Sequence, residues 1–403
     1  MRKETTAIHT PFHKRDAYGS LSFPIYHTAA YEFDSAQEMT EVFSGRILEP
    51  DYSRVMNPTV THFENRICAL SGAANVFAMN TGMSAIFNTL MVFAETGKTI
   101  VTSKHLFGNS YALITKTLAR FGVKAQVVDL TDTHTLDNII ADDACLIYTE
   151  IITNPQLEVV DLKELSRIAH KHGIPLIADT TLLPFTVVNA GSLGVDVEVL
   201  SSTKYISGGA TSLGGLIIDY GTFPQVNERI RFEFLFNVGS YMTPHAAYMQ
   251  TIGLETLAVR YAQQSRNAAT LAELLLDIPS IKHVNYPGIV TSPYYDITAR
   301  QFSSAISPTS STGRVTAIGA VLTIDLETEQ ACYDFINRLK LIRRATNLFD
   351  NKTLAIHPAS TIFVGFSDEQ RKEMDVLNTT IRISVGLEDV NDIFEDIKQA
   401  LLK

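Results

Sequence analysis

An α/β fold on a mostly parallel sheet, followed by a second and smaller α/β domain, is the class this 403-residue chain predicts. Between residues 57 and 255, short continuously apolar runs alternate with helical stretches, as strands buried on both faces of a parallel sheet do. After a helix-rich stretch the alternation resumes and continues to the C-terminus. The length itself exceeds what one core usually supports, so two domains are expected.

In chain order, residues 1–56 are polar, irregular and rich in His, Tyr and Pro, and read as an extended arm. The 57–255 domain draws its strands from "KTIVTSK", "KAQVVDL", "ACLIYTEI", "IPLIADT" and "VEVLSST". "SAIFNTLMVFAE" and "VVDLKELSRIAHKHG" are two of its helices. The second stops at Gly173, because glycine takes the left-handed conformation that ends a helix at little cost. The helix-rich stretch "GLETLAVRYAQQSRNAATLAELLLDI" leads into a 256–403 domain with strands in "AIGAVLTIDL" and "TIRISVGL". An amphipathic helix, "DVNDIFEDIKQALLK", closes it, and "SPTSSTGR" (307–314) is its one loop-like Ser/Thr cluster.

Composition excludes several partners. A net charge of −10 argues against nucleic acid or an anionic membrane. With 45% hydrophobic and 19% charged residues, the chain has apolar surface to hide in an oligomer. Cys68, Cys145 and Cys332 lack C-x-x-C spacing and fit reduced thiols of a cytoplasmic protein. The opening "MRKETTAIHTPFHKRD" has no apolar core of a secretory signal, and no run approaches the ~20 residues of a membrane span.

Three strand ends collect reactive residue types: Asp179 closes "IPLIADT", Lys204 follows "VEVLSST", and Asn154 and Pro155 follow "LIYTEIIT". An acid at a strand end is ordinarily a cap, a lysine in a Gly/Ser turn is ordinarily solvated, and Asn-Pro is ordinarily a turn. Together they sit where a parallel sheet binds its ligand, beyond the strands' C-terminal ends. "MNTGMSAIFNTL" adds an anion site, with Thr81, Gly82 and Met83 leading into a helix whose first N–H groups and positive dipole end face the loop. Ser201 and Thr203 can add hydroxyls to it. Other signatures fail. "ETGKT" lacks the P-loop's earlier glycine, Val92 standing there, and "SSTK" lacks the companion elements of serine-lysine acyl enzymes. No metal constellation stands out among the 11 histidines. A phosphate cradle, an acid and a lysine are what pyridoxal phosphate requires: an amine for its aldehyde, a carboxylate for its pyridine nitrogen and donors for its phosphate.

With these residues in view, the sequence resembles the Cys/Met-metabolism (cystathionine γ-synthase-like) family of pyridoxal-phosphate enzymes, nearest its O-acetylhomoserine and O-succinylhomoserine sulfhydrylases. "YSRVMNPT", "TGMSA", "ADTT", "SSTKYISGG", "HPAS" and "IRISVGLED" stand in the family's order and spacing. The resemblance implies the aspartate-aminotransferase-like fold, fold type I. It implies Lys204 as the Schiff-base lysine and proton carrier, Asp179 as partner of the pyridine nitrogen, and Gly82, Met83, Ser201 and Thr203 as phosphate ligands. Tyr52 and Arg54 would reach the phosphate of a neighbouring subunit in a homotetramer built as a dimer of dimers. Arg382 would clamp the substrate carboxylate, helped by Asn154.

Departures from the family pattern narrow the activity. Phe107 stands where most members stack a tyrosine on the cofactor. It can stack but cannot donate a proton. A thiol leaving group, with pKa ~8.5, benefits from protonation, whereas a carboxylate, at ~4, does not. That favours an O-acylhomoserine ester, unless Tyr52 or Tyr111 supplies a hydroxyl. Asn109 replaces the cysteine of methionine γ-lyases, and Asn347 lies in a stretch like the sulfhydrylases' Ala-Asn-Leu-Gly-Asp, where Phe349 replaces the glycine and is placed to narrow the pocket. The expected reaction is γ-replacement on an O-acylhomoserine, the acetyl ester before the succinyl, by sulfide or a small thiol, giving homocysteine or methionine. The alternative is elimination, as in methionine γ-lyase or a cystathionine-cleaving enzyme.

Overall fold

The computed structural model describes residues 2–9, 18–303, 307–308 and 313–402. Seven strands form the larger sheet: β1 Asn75–Met79, β2 Thr99–Ser103, β3 Lys124–Val128, β4 Ala144–Glu150, β5 Leu176–Asp179, β6 Val197–Leu200 and β7 Gly215–Asp219. Their order is β1-β7-β6-β5-β4-β2-β3. All pairings are parallel except those of β7, which runs antiparallel to both β1 and β6. The five expected strands are present. β1 and β7 were not expected; β7 follows a Gly-rich stretch that reads as loop.

Burial follows position in the sheet. Every residue of β2, β6 and β7 is buried, whereas no residue of the edge strand β3 is. Helices cover both faces. The helix Gly82–Phe93 packs on β6 and β7, and the helix Pro58–Ser71 packs on β1 from the other side. In the helix Leu162–Lys171, Asp161 caps the N-terminus by accepting from Glu164 N–H, and Gly173 takes φ +69° after its end.

A second sheet is assembled from β8 His283–Asn285, β11 Val321–Asp325, β12 Arg343–Arg344, β13 Leu354–Ile356 and β14 Thr380–Ser384, in the order β12-β13-β14-β11-β8. Strands β9 Ser307–Pro308 and β10 Thr316–Ala317 pair separately, so part of the Ser/Thr cluster is strand; its residues 309–312 lie outside the described residues. The helices Leu257–Leu275, Glu329–Arg338 and Val390–Leu401 belong to this half. One apolar cluster runs without a break from Phe63 and Ile218 to Ile383 and Ile397.

The N-terminal 56 residues are less irregular than their composition suggests. Helices span Lys3–His9 and Ala36–Phe43. The second has a legible start: Ser35 Oγ accepts from Glu38 N–H at 3.0 Å, and Glu38 Oε2 accepts from Asp34 N–H at 3.0 Å. Residues 10–17 lie outside the described residues.

Candidate active site

At the C-terminal ends of β4, β5 and β6, and against the start of the helix Gly82–Phe93, lies a cavity of about 570 Å³. Its floor is the helix N-terminus. Thr81 Oγ1 accepts from Ser84 N–H at 3.1 Å while Ser84 Oγ accepts from Thr81 N–H at 3.2 Å. This leaves the N–H groups of Gly82 and Met83, which no helix satisfies internally, on residues that line the cavity. Gly82 is required there, since a Cβ would sit 2.7 Å from Ser201 Cβ. Ser201 is thereby held beside the cradle, its N–H donating to Thr181 Oγ1 at 2.9 Å. Thr203 also lines the cavity, but its hydroxyl donates to Gly214 O at 3.1 Å and accepts from Gly214 N–H at 2.9 Å. Its proton is committed to that turn unless a ligand redirects it.

Lys204 is neither snorkelling nor ion-paired. Its Nζ donates to Asn347 Oδ1 at 2.8 Å. Burial, reinforced by the charge of Arg382, lowers its ammonium from 10.5 to about 8. Asp179 faces the same cavity from the end of β5, and Thr181 N–H donates to its Oδ1 at 2.8 Å. Burial raises its carboxyl above the ordinary range, opposed by the Thr181 bond.

Beside Asp179, in register on β4, is a second acid, Glu150, and this one is buried. It lines the cavity, accepts from Phe107 N–H at 2.6 Å through Oε1 and from Asn154 N–H at 3.2 Å through Oε2. Burial and the adjacent Asp179 push it well above the usual carboxylate range. It was not among the expected site residues. The signal was present, because Glu150 closes an apolar strand as Asp179 does.

Arg382 projects from the central strand β14 of the smaller sheet and is 2% exposed. Its Nη1 donates to Asn154 Oδ1 at 3.1 Å, and its Nη2 reaches the carbonyls of Thr346 and Asn347 at 3.3 and 3.4 Å. Burial alone lowers it to about 9. Among the described residues no carboxylate pairs with it, and its Nε has no partner. A desolvated guanidinium facing only neutral oxygens suits an incoming carboxylate. By contrast, a cleft of about 660 Å³ elsewhere, lined by Phe23 and His62, has its guanidinium already paired, Arg66 with Glu255 at 2.8 Å.

Phe107 and Asn109 line the active-site cavity, and among the described residues no tyrosine does. Tyr111 turns instead onto Phe366, ring centroids 5.9 Å apart. Phe349 does not narrow the cavity. It is fully buried behind it, stacked on Tyr205 at 3.7 Å. Tyr52 and Arg54 are not brought into this cavity. Tyr52 is 45% exposed, and the Arg54 guanidinium lies over its ring while donating to the carbonyls of Leu235 and Phe236.

These residues fit pyridoxal phosphate. Gly82 and Met83 present N–H groups for a phosphate, Lys204, for the aldehyde, an amine whose proton is more easily lost than an ordinary lysine's, Asp179 a half-buried carboxyl for the pyridine nitrogen, and Phe107 an aromatic face. Bound there, the cofactor supplies an electron sink for charge developing at the substrate Cα. No group of three or more His, Cys, Asp or Glu among the described residues is placed to hold a metal ion.

Known proteins resemble this chain in sequence and in fold. Residues 4–402 match the family model described as Cys/Met metabolism PLP-dependent enzyme. An L-methionine gamma-lyase of Fusobacterium nucleatum is 35% identical over 99% of this chain and 98% of its own length. An O-acetyl-L-homoserine sulfhydrylase of Leptospira meyeri is 30% identical, covering 99% and 96%. The crystal structure of a putative O-acetylhomoserine (thiol)-lyase from Campylobacter jejuni, carrying a pyridoxyl-lysine phosphate, superposes with a TM-score of 0.93 at 30% identity over the whole of both chains. The chain therefore belongs to the Cys/Met metabolism family of PLP-dependent enzymes, with fold type I architecture and pyridoxal phosphate as its cofactor.

Proposed function

We infer that the enzyme catalyses γ-replacement on an O-acylhomoserine, O-acetylhomoserine before O-succinylhomoserine, with sulfide or a small thiol as nucleophile. The observation that supports this is the absence of a phenol hydroxyl among the described cavity residues, with Phe107 in place and Tyr111 turned away. Departure of a thiolate gains from a general acid, and departure of a carboxylate does not. Arg382 and Asn154 bind the substrate carboxylate, and Asp179 would keep the cofactor nitrogen protonated. Lys204 takes the Cα proton and then a Cβ proton as the acyl group leaves Cγ as a carboxylate. It returns protons to Cβ and Cα after the sulfur nucleophile has added at Cγ. Gly82, Met83, Ser201 and Thr203 hold the phosphate. Asn347, which accepts from the Lys204 ammonium, orients that amine between proton transfers.

Tyr52 and Arg54 complete the phosphate site of a neighbouring subunit in this reading, so the working unit is a dimer within a tetramer. An apolar groove beside them, lined by Phe43, Ile47, Leu48, Phe232 and Phe236, supports it. Three free thiols fit a reducing, cytoplasmic setting, and no helix among the described residues is long and apolar enough to cross a membrane. Elimination from methionine or cystathionine is the second reading, favoured by the methionine γ-lyase relatives. Incubation with O-acetylhomoserine and sulfide, against methionine alone, separates the two. Homocysteine from the ester is expected; rapid 2-oxo-acid release from methionine with none formed from the ester would reject γ-replacement.

A further inference from the structure

One ionisable cluster joins the two sheets beside the cavity without belonging to the cofactor or substrate contacts. His105 lies in the loop after β2, two residues before Phe107, and is 8% exposed. Its Nδ1 is 2.8 Å from Glu158 Oε2 and its Nε2 is 2.8 Å from Asp375 Oδ2. Glu158 ends the turn that begins at Asn154: Thr153 N–H donates to Glu158 O at 3.0 Å, and Glu158 N–H to Thr153 Oγ1 at 2.9 Å. Asp375 follows the helix Asp368–Glu373, in the C-terminal segment that brings Thr361 and Ile362 to the cavity. Lys104 Nζ also meets Asp375 Oδ2, at 2.7 Å, and Tyr294 OH donates to Glu158 Oε2 at 3.3 Å. Asp129 is a further charge near enough to feel the ring.

An ionised carboxylate only accepts hydrogen bonds. A neutral imidazole has one N–H and one lone pair, so it can satisfy one of these carboxylates while turning its lone pair on the other. Only the imidazolium donates to both. We propose that His105 is a protonated clasp, a positioning residue that holds the Thr361–Ile362 wall against the Phe107 and Asn154 walls and so ties amino-acid binding to pH. The proposal rests on reading the cavity as the amino-acid site.

The joint it closes is tight. Gln156 Nε2 donates to Met374 O at 2.7 Å, and a Cβ on Gly108 would lie 2.7 Å from Ile362 O. Loosening Asp375 therefore moves the wall directly. Burial works against the proton on His105, but Glu158 and Asp375 outweigh it together with the opposing Lys104, leaving the ring above 6.5. With its value raised in the folded protein, the clasp is complete below that value and is lost as pH rises through it.

The test uses the holoenzyme labelled with 15N-histidine, and glycine as an unreactive amino acid whose binding is followed through the absorbance of the bound cofactor. His105 is expected to titrate above 6.5, and to fall by half a unit or more in Asp375→Asn. In His105→Gln the glycine Kd should be raised three- to tenfold below the wild-type titration point and match wild type above it, with kcat at saturating substrate within about twofold. Titration at or below 6.5, or a His105→Gln Kd that tracks wild type across the whole range, would overturn the clasp. Should His105→Gln not fold, Asp375→Asn gives the same comparison from a more exposed position. Glycine binding needs no turnover, so an enzyme that proved to be a lyase would leave this result standing. If no amino acid perturbed the cofactor, the cavity reading would fall and the titration alone would decide the clasp.

Discussion

Lys204 is the group whose environment can be turned most directly into a number. Its ammonium falls from 10.5 to about 8 because the side chain is desolvated and Arg382 stands nearby. Each pH unit below the midpoint costs a factor of ten in neutral amine. At pH 7 the neutral fraction is then about a tenth, against about 0.03% for an unperturbed lysine, a gain of roughly 300-fold. Only the neutral amine attacks an aldehyde or accepts a proton. Trace labelling of the cofactor-free protein with acetic anhydride, counting the peptide that carries Lys204, reads that fraction without any contribution from the cofactor's own ionisation. Labelling should half-rise near pH 8. In Arg382→Leu, which removes a cation but keeps the site apolar, the half-rise should move to higher pH, while burial keeps it below 10.5. A wild-type half-rise near 10.5 would show that Lys204 is solvated, and the account of the site would fail with it.

Phe107→Tyr restores a phenol at the cavity wall. It should raise elimination from methionine by ten- to a hundredfold relative to reaction of the acyl ester, within what one positioned acid supplies; an unchanged ratio in paired kcat/KM assays would count against the leaving-group argument. Glu150→Gln must turn an NH₂ toward the N–H of Phe107 or Asn154. It should cost on the order of 1–3 kcal/mol in urea unfolding and raise the substrate KM. Phe349 has φ +56° and is fully buried on Tyr205. Truncation to alanine should cost about 3–5 kcal/mol, while glycine, free of the left-handed penalty of about 1 kcal/mol, should be the more stable of the two, reversing the usual order. Thermal unfolding of both variants checks this; an alanine variant at least as stable as glycine would count against it.

Strand-forming runs, the capped helix at Gly82, and the acid and lysine closing β5 and β6 were legible in the chain because each is local: apolar period, glycine and strand end lie within a few residues. The family motifs extended that reading to Arg382, far away in sequence. Other features answer only to contacts between distant segments. β7 reverses the sheet's parallel run, lying antiparallel to β6 and to β1, some 140 residues earlier, and its short "LIID" carries no sign of that distant partner. Phe349 was placed toward the pocket by its motif, yet its left-handed backbone directs the ring onto Tyr205. Glu150 and His105 looked like ordinary polar residues beside strand ends. Folding gave one two backbone donors and an acidic neighbour, and gave the other two carboxylates, one of them 270 positions away. Residue type and spacing announce which groups can do chemistry. The charge state in which they do it depends on desolvation and facing partners, which exist only once the two sheets have closed on each other.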